Sequence, residues 1–347
     1  MSMKAKILEL LREKKDRVAA GAPESEAYVS GQELCEQFGV SRTAVWKAIG
    51  QLKKEGYVIE AVQNRGYRLL DQTEEVYNQA DIQSRLKTKW VAHPLQFFDS
   101  IDSTNIRAKL EAEQGAKSGL LVVSDMQSAG RGRRGRSWES PEGTNIYYTL
   151  MLKPDFSSDC APMLTLVMAL AVAKGIRQTL RRDSEEAAAK VGIKWPNDIV
   201  VDGKKVCGIL TEMSMEQGYI QHIVIGVGIN VRKQEFPEEI RDRAAAIDEQ
   251  CGFRISRSQL IADIMEAFEE DYEIFLRTHD LKGLRASYAE LLVNQDREVC
   301  VLDPKGEYRG IARGINDQGE LLVERQDGTV EEVYAGEVSV RGIYGYV

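Results

Sequence analysis

The sequence predicts an α+β protein in three parts. These are a winged helix-turn-helix over residues 1–72, a central mixed β-sheet with helices over 81–290, and a small SH3-like β-barrel over 294–347. Three observations predict this. Near the N-terminus two helical segments flank a glycine turn at Gly39, with a β-rich stretch behind them. From about Asp81 longer strand and helix patterns alternate. From about Asn294 only short β runs separated by glycine-containing turns remain.

Taken in order, residues 4–15 place Ile7, Leu8, Leu10 and Leu11 on one stripe of a helix. A polar loop with Gly21 and Pro23 follows through Ala27. Ser30 and Glu33 have capping-box spacing over a helix that Gly39 ends. Ser41 caps the next helix, residues 42–54, whose apolar positions Val45, Ile49 and Leu52 recur at helical spacing. Gly56 ends it, and residues 57–59 with 66–70 read as a two-stranded wing.

Within this helix-turn-helix, which runs from about Gly31 to about Gly50, Ser41, Arg42, Thr43, Trp46 and Lys47 lie near the start of the second helix. Major-groove and phosphate contacts are made there. Arg65 and Arg68 add charge to the wing. Residues 1–70 carry 12 Lys/Arg against 9 Asp/Glu, a balance of +3, in a chain of formal net charge -8, which leaves -11 for the remainder. DNA is therefore the expected partner of this segment, with a protein-interaction module as the alternative. A domain this small binds weakly alone, so specific recognition calls for a dimer on a two-fold operator.

In the central part, residues 96–99 read as a strand and 100–105 as a polar turn before the helix 106–113. Ser103, Thr104 and Asn105 in that turn suit either hydrogen bonding to a neutral polar ligand or plain N-capping. The strand 119–124 then leads to Gly130-Arg131-Gly132-Arg133-Arg134-Gly135-Arg136, four arginines and three glycines in seven residues, followed by Trp138 and the strand 145–151. Such a segment is expected to be a solvated loop until an anion arrives for its N–H groups and guanidinium forks. Its spacing satisfies G-x-G-x-x-G, but a dinucleotide turn must open a helix, and here a strand follows. A kinase glycine loop needs His-Arg-Asp and Asp-Phe-Gly partners, and the chain has neither.

The apolar stretch 163–176 is broken by Lys174, is too short to span a bilayer, and reads as a buried helix. Further on, Lys194 closes an apolar strand before Trp195-Pro196-Asn197-Asp198, and a buried lysine needs an anionic partner. Asp202-Gly203 reads as a hairpin turn. The strand 222–231 carries Gly226 and Gly228, which permit close approach of a ligand, and ends at Asn230. At the C-terminus the runs 297–302, 308–312, 321–324, 330–334 and 338–340 form the β module.

The N-terminus lacks a signal-peptide core, so a cytoplasmic location is expected. Five scattered cysteines without C-x-x-C argue against a disulfide framework, and three histidines without zinc spacing argue against a transition-metal centre.

Ser103-Thr104-Asn105, Gln127 with Gly130 to Gly135, Lys194-Trp195-Pro196-Asn197-Asp198, Gly208-Ile209-Leu210 and Gly228-Ile229-Asn230 occur in this order. In this the chain resembles the biotin–protein ligases, specifically the bifunctional class that doubles as the biotin operon repressor, over nearly its whole length. The resemblance implies a class II synthetase-like ligase domain. It implies biotin, ATP and Mg²⁺ as ligands, biotinyl-5′-AMP as intermediate and corepressor, and transfer to a lysine of the biotin carboxyl carrier protein of acetyl-CoA carboxylase. Ser103, Thr104, Asn105, Gln127, Arg131, Gly132, Arg133 and Lys194 would hold biotin. Arg133, Trp138, Lys194 and Asn230 would hold the nucleotide. Arg131, Arg133 and Lys194 would neutralise the approach of a carboxylate to a phosphate. Mg²⁺ would shield pyrophosphate without a dedicated protein site.

Operator DNA, a liganded homodimer and no membrane partner complete the implied picture. The acceptor lysine lies on the carrier protein, which agrees with the lack of a nucleophile–base constellation here. Residues 18–27 depart from the pattern as an insertion that bears on operator geometry. A non-enzymatic biotin-sensing regulator and a lipoate-type acyl ligase are the alternatives.

Overall fold

In the computed structural model, which describes residues 1–302, 306–334 and 339–342, tertiary packing divides the chain into two units, Met1–Leu86 and Lys87–Val347. The first holds α1 (Met3–Ala19), α2 (Gly31–Phe38), α3 (Arg42–Lys54), β1 (Ile59–Val62), β2 (Gly66–Leu69) and α4 (Gln79–Gln83). No helix breaker stands before Gly21, so α1 outruns the expected 4–15, and part of the expected loop is a short turn of 3₁₀ helix, Glu24–Ala27. The caps are those the sequence encodes. Ser30 Oγ accepts from Glu33 N at 3.0 Å and Ser41 Oγ from Ala44 N at 3.3 Å. Gly39 ends α2 in the left-handed conformation, φ 63°.

The core of this unit is Ile7, Leu8, Leu11, Leu34, Val45, Ile49 and Leu52, closed by Ile59 and Leu69 of the wing; Leu10 is only partly buried. Each such fully buried aliphatic side chain contributes about 1.5–3 kcal/mol. β1 and β2 pair antiparallel, and Val29 adds a third short strand by exchanging both backbone bonds with Tyr67 at 2.9 Å. The link helix α4 belongs to this unit through buried Asp81, which pairs with Arg12 and Arg85 and accepts from Tyr57 Oη at 3.1 Å.

The second unit is built on a seven-stranded mixed sheet. Its strands are β3 (Leu95–Ile101), β4 (Leu120–Gln127), β5 (Ile146–Leu152), β6 (Val191–Lys194), β7 (Asp198–Val201), β8 (Lys204–Glu216) and β9 (Tyr219–Ile229), in the order β3-β4-β5-β9-β8-β7-β6. Only β3 and β4 run parallel, joined by α5 (Thr104–Glu113). Asp202 and Gly203 turn β7 into β8 with φ of 51° and 73°, the positive values such a hairpin demands.

The helices α6 (Met163–Arg181), α7 (Glu185–Ala189), α8 (Ile247–Cys251), α9 (Arg257–Phe275) and α10 (Arg285–Ala289) complete the layer. α6 extends beyond the expected 163–176, and by length and composition alone it is apolar enough to cross a membrane. Its packing against α9 accounts for that composition, since Leu164, Val167, Met168, Ala171 and Val172 are fully buried.

The C-terminal strands are β10 (Glu298–Leu302), β11 (Tyr308–Ile315), β12 (Leu321–Glu324), β13 (Val330–Val333) and β14 (Ser339–Gly342). They form an antiparallel sheet in the order β13-β12-β11-β10-β14. Val338 of the expected last strand lies outside the described residues.

Candidate active site and nucleic-acid interface

One cavity of about 300 Å³ opens over β8 and β9, between the start of α5 and the arginine–glycine segment. Ser103, Thr104, Asn105, Gln127, Arg131, Gly132, Arg133, Trp138 and Asn230 all line it. At one end the groups are neutral. Ser103 occupies the N-cap position of α5, yet its hydroxyl makes no cap bond, so capping is not its role; its own N–H donates to Asp102 Oδ1 at 2.6 Å. Thr104 donates through both N and Oγ1 to Gln127 Oε1, at 2.9 and 3.1 Å. Gln127 Nε2 in turn donates to Ser140 Oγ, which donates to Trp138 O, both at 3.0 Å.

The other end is cationic. Arg131, Arg133, Arg134, Arg136, Lys205 and Arg243 face a single lining carboxylate, Asp198. In a chain of net charge -8 this concentration makes the cavity an anion site. Arg133 Nη1 donates to Asn197 Oδ1 at 2.6 Å. Burial pulls its guanidinium below the ordinary arginine value, with Asp198 opposing and Arg134 adding to the shift. Lys205 Nζ pairs with Asp198 at 2.6 Å and sits 5.6 Å from the Trp138 ring centroid.

The arginine–glycine segment links antiparallel β4 and β5, which excludes a dinucleotide turn. It is largely exposed, as four like charges require, but its backbone is not irregular. Gly132 N donates to Arg136 O at 2.7 Å and Trp138 N to Gly130 O at 2.9 Å, so the segment folds back as a small hairpin over the cavity. The two glycines of β9 line the cavity and also seat side chains of the chain itself. A Cβ at Gly226 would overlap the Asn105 amide and one at Gly228 the Trp138 indole, so these two side chains approach the strand closely there.

Lys194 is buried, as its place in an apolar strand requires. It is 5 % exposed at the end of β6, in register with Asp198, and is not among the residues lining the cavity. Sequence reasoning missed the lysine that does line it, Lys205, although its position just after the Asp202-Gly203 turn was a usable signal. Arg243 carried no signal. It belongs to an irregular segment that docks on β8 through Lys205 N to Arg243 O, 2.7 Å, and Ala245 N to Lys205 O, 2.9 Å.

In the N-terminal unit, Ser41, Arg42, Thr43, Trp46 and Lys47 are all exposed on α3, Trp46 at 68 %. Arg42 Nη2 donates to Gln32 Oε1 at 3.1 Å. The wing is less available than its composition implies. Arg68 is paired with Glu24 and, at 2.6 Å, with Glu60, and stacks over Tyr28. Arg65, exposed in the wing turn and 5.4 Å from the Tyr28 ring centroid, keeps charge on the wing, and Arg42 and Lys47 carry it on α3.

Residues 97–230 match the Biotin/lipoate A/B protein ligase family, residues 24–68 an HTH domain and residues 296–341 the Biotin protein ligase C terminal domain. The bifunctional ligase/repressor BirA of Bacillus spizizenii is 38% identical over 331 residues, covering 94% of this chain and 98% of the relative. That of Escherichia coli K12 is 32% identical over 312 residues, covering 90% and 92%. Among solved structures, biotin protein ligase from Aquifex aeolicus in complex with biotin and ATP is 29% identical, with a TM-score of 0.61 over 72% of this chain and 98% of that one. The cavity, the helix-turn-helix and these matches along almost the full length agree, and the chain belongs to the family of bifunctional biotin–protein ligases and repressors.

Proposed function

We propose that the protein joins biotin to ATP and passes the biotinyl group to a lysine of a biotin carboxyl carrier protein, and that it represses biotin genes with biotinyl-5′-AMP as corepressor. One observation carries this reading: a single cavity is lined both by hydroxyl and amide groups at the start of α5 and by six cationic side chains, Arg133 and Lys205 among them beside β7. Biotin has that polarity, a neutral ureido head and a carboxylate tail.

Ser103, Thr104, Asn105 and Gln127 would hold the head. Arg131, Arg133 and Lys194, with Lys205, would offset the repulsion as a carboxylate oxygen bonds to the α-phosphorus and the α–β bridge breaks. Trp138 and Asn230 would receive the adenine. The carrier lysine then attacks the acyl carbon and AMP leaves. Among the described residues no group of three or more His, Cys, Asp or Glu is arranged to hold a metal. Mg²⁺ would therefore enter with ATP, held mainly by phosphate oxygens. In this reading residues 1–72 bind operator DNA through α3, 81–290 carry the chemistry and 294–347 support it. The protein works in the cytoplasm and dimerises when liganded.

The test is incubation of the purified chain with MgATP, labelled biotin and a carrier fragment, beside a gel shift on palindromic operator DNA. Label on the fragment and a shift that depends on biotin plus ATP are expected. A folded chain that binds biotin but leaves the fragment unlabelled is a sensor, not a ligase.

A further inference from the structure

Glu212, on β8, lies outside the set of residues lining the main cavity. Its Oε2 accepts from Asn105 Nδ2 at 2.7 Å, its Oε1 accepts from Lys109 Nζ at 2.8 Å, and Arg131 Nη1 stands 3.8 Å away. A carboxylate can only accept, so Asn105 must turn its NH₂ toward Glu212 and its carbonyl inward. That carbonyl accepts from Thr149 Oγ1 at 2.6 Å. With its one proton engaged there, Thr149 presents lone pairs to Thr104 Oγ1 at 2.9 Å. The Thr104 hydroxyl thus stands between two acceptors, Thr149 Oγ1 and Gln127 Oε1. Its proton stays within the network and its lone pairs face the cavity.

We propose that Glu212 is a positioning residue that fixes the hydrogen-bond sense of the neutral end of the cavity, making Thr104 an acceptor for the N–H of a urea-like ligand while facing Arg131 of the arginine–glycine hairpin. This rests on the biotin reading above. Three further observations support it. A Cβ at Gly226 would overlap the Asn105 amide, so that amide fills its space and has no second seat. Burial alone would raise the Glu212 carboxyl, but the bonds from Asn105 and Lys109 and the charges of Lys109 and Arg131 outweigh it and hold the group below the ordinary carboxylate value. The charge that dictates the relay is therefore present at neutral pH. Finally, Thr149 is fully buried, and its hydroxyl bonds only to Asn105 and Thr104 of this relay.

The experiment is calorimetric titration of the full chain with biotin and, separately, with MgATP, for the wild type, Glu212→Gln, Glu212→Asp and Thr149→Val. Glu212→Gln can reverse its amide and let Asn105 flip. Its biotin Kd should rise at least about tenfold, the loss typical of one misdirected buried hydrogen bond, with MgATP affinity within about twofold of wild type on the same principle. Glu212→Asp should recover part of the loss. Thr149→Val, which cuts the relay without touching the charge, should reproduce the biotin-specific defect even if Glu212→Gln folds poorly. Wild-type biotin affinity in both Glu212→Gln and Thr149→Val, or parallel loss of biotin and MgATP binding, overturns the assignment. A wild-type chain that does not bind biotin overturns the underlying reading as well, and the two failures are told apart by that arm alone.

Discussion

The indole of Trp138 rests on Gly228, where a Cβ would lie 2.5 Å from both its Nε1 and its Cε2. At Gly208 a Cβ would come 2.8 Å from the opposite edge of the ring, at Cζ3. The central strands thus omit two side chains to seat one indole, and the Lys205 ammonium lies 5.6 Å from its ring centroid. Among the described residues its Nε1 has no hydrogen-bond partner, which leaves a donor free in the wall of the cavity.

Gly228→Ala should therefore displace the ring while barely affecting the neutral end. MgATP affinity is expected to fall about tenfold or more, in the range that one aromatic stacking interaction supplies, and biotin affinity to change far less. Isothermal titration with each ligand separates the two. Equal effects on both would place the indole elsewhere than at the nucleotide.

Lys194 and Lys205 should separate in kinetics. Removing a preorganised cation from a developing charge costs about 10²–10³-fold in rate. Lys194→Ala is expected to lose adenylate formation on that scale, measured by pyrophosphate release, with a much smaller change in denaturation midpoint. Lys205→Met keeps the stem over Trp138 but strips the Asp198 partner, and should raise the KM for ATP more than it lowers kcat. A Lys194→Ala protein that turns over normally would shift the catalytic role to Lys205.

What was legible in the sequence was whatever a short local rule governs. Ser30, Gly39 and Ser41 delimit the two helices because capping depends on a few neighbours. The Asp202-Gly203 turn is a two-residue rule of the same kind. The site residues before β4 and in the arginine–glycine segment were found because their composition is unusual. Arg243 and Glu212 become meaningful only through partners distant in the chain, Arg243 through the docking of its segment on Lys205 of β8 and Glu212 through Asn105 and Lys109 of α5; Lys205 does so only once β7 brings Asp198 beside it. That Gly226 and Gly228 also seat Asn105 and Trp138 is illegible for the same reason, since nothing local says which side chains will pack over them.

His222 sets an acid-side limit to stability. It is buried on β9 beside α5, and among the described residues its Nε2 has no hydrogen-bond partner. Burial lowers its pKa; Lys109 and Lys153 push the same way and Glu113 opposes. Above the unfolded value of about 6.5 neither state carries the proton and His222 adds no pH dependence. Below it the unfolded chain takes up the proton first, so stability falls until the lower folded value is passed and is level beyond it. His222→Leu should reduce the drop in urea midpoint between pH 7.5 and pH 5. An undiminished drop would assign the acid sensitivity to other groups.

Trp195 ties the ligase sheet to the C-terminal strands. It is almost fully buried, and its Nε1 donates to Gly319 O at 2.9 Å. Trp195→Phe removes that donor and some volume, and should cost about 1–3 kcal/mol. Hydrogen exchange should then rise around Gly319 and the ends of β11 and β12 before it rises in α6. Uniform loss of protection would mean that the indole holds the whole unit rather than this junction.

The DNA-binding prediction follows from where charge is free. Arg68 is neutralised by Glu24 and Glu60, whereas Lys47 and Trp46 stand exposed on α3. Lys47→Ala removes an ammonium that can sit on a phosphate. It should weaken binding to operator and random DNA alike and lower the slope of log K against log salt by about 1. Trp46 carries no charge, so Trp46→Ala should leave the salt slope unchanged and act on specific binding alone. Arg68→Ala should change neither, because its charge is already paired within the unit. Fluorescence anisotropy across a salt series on both DNAs measures all three. If Arg68→Ala lowers the salt slope as Lys47→Ala does, the wing reaches phosphate and its ion pairs open on binding. Biotin transfer to the carrier fragment should stay at wild-type level throughout, since α3 is far in sequence and in function from the residues that line the cavity.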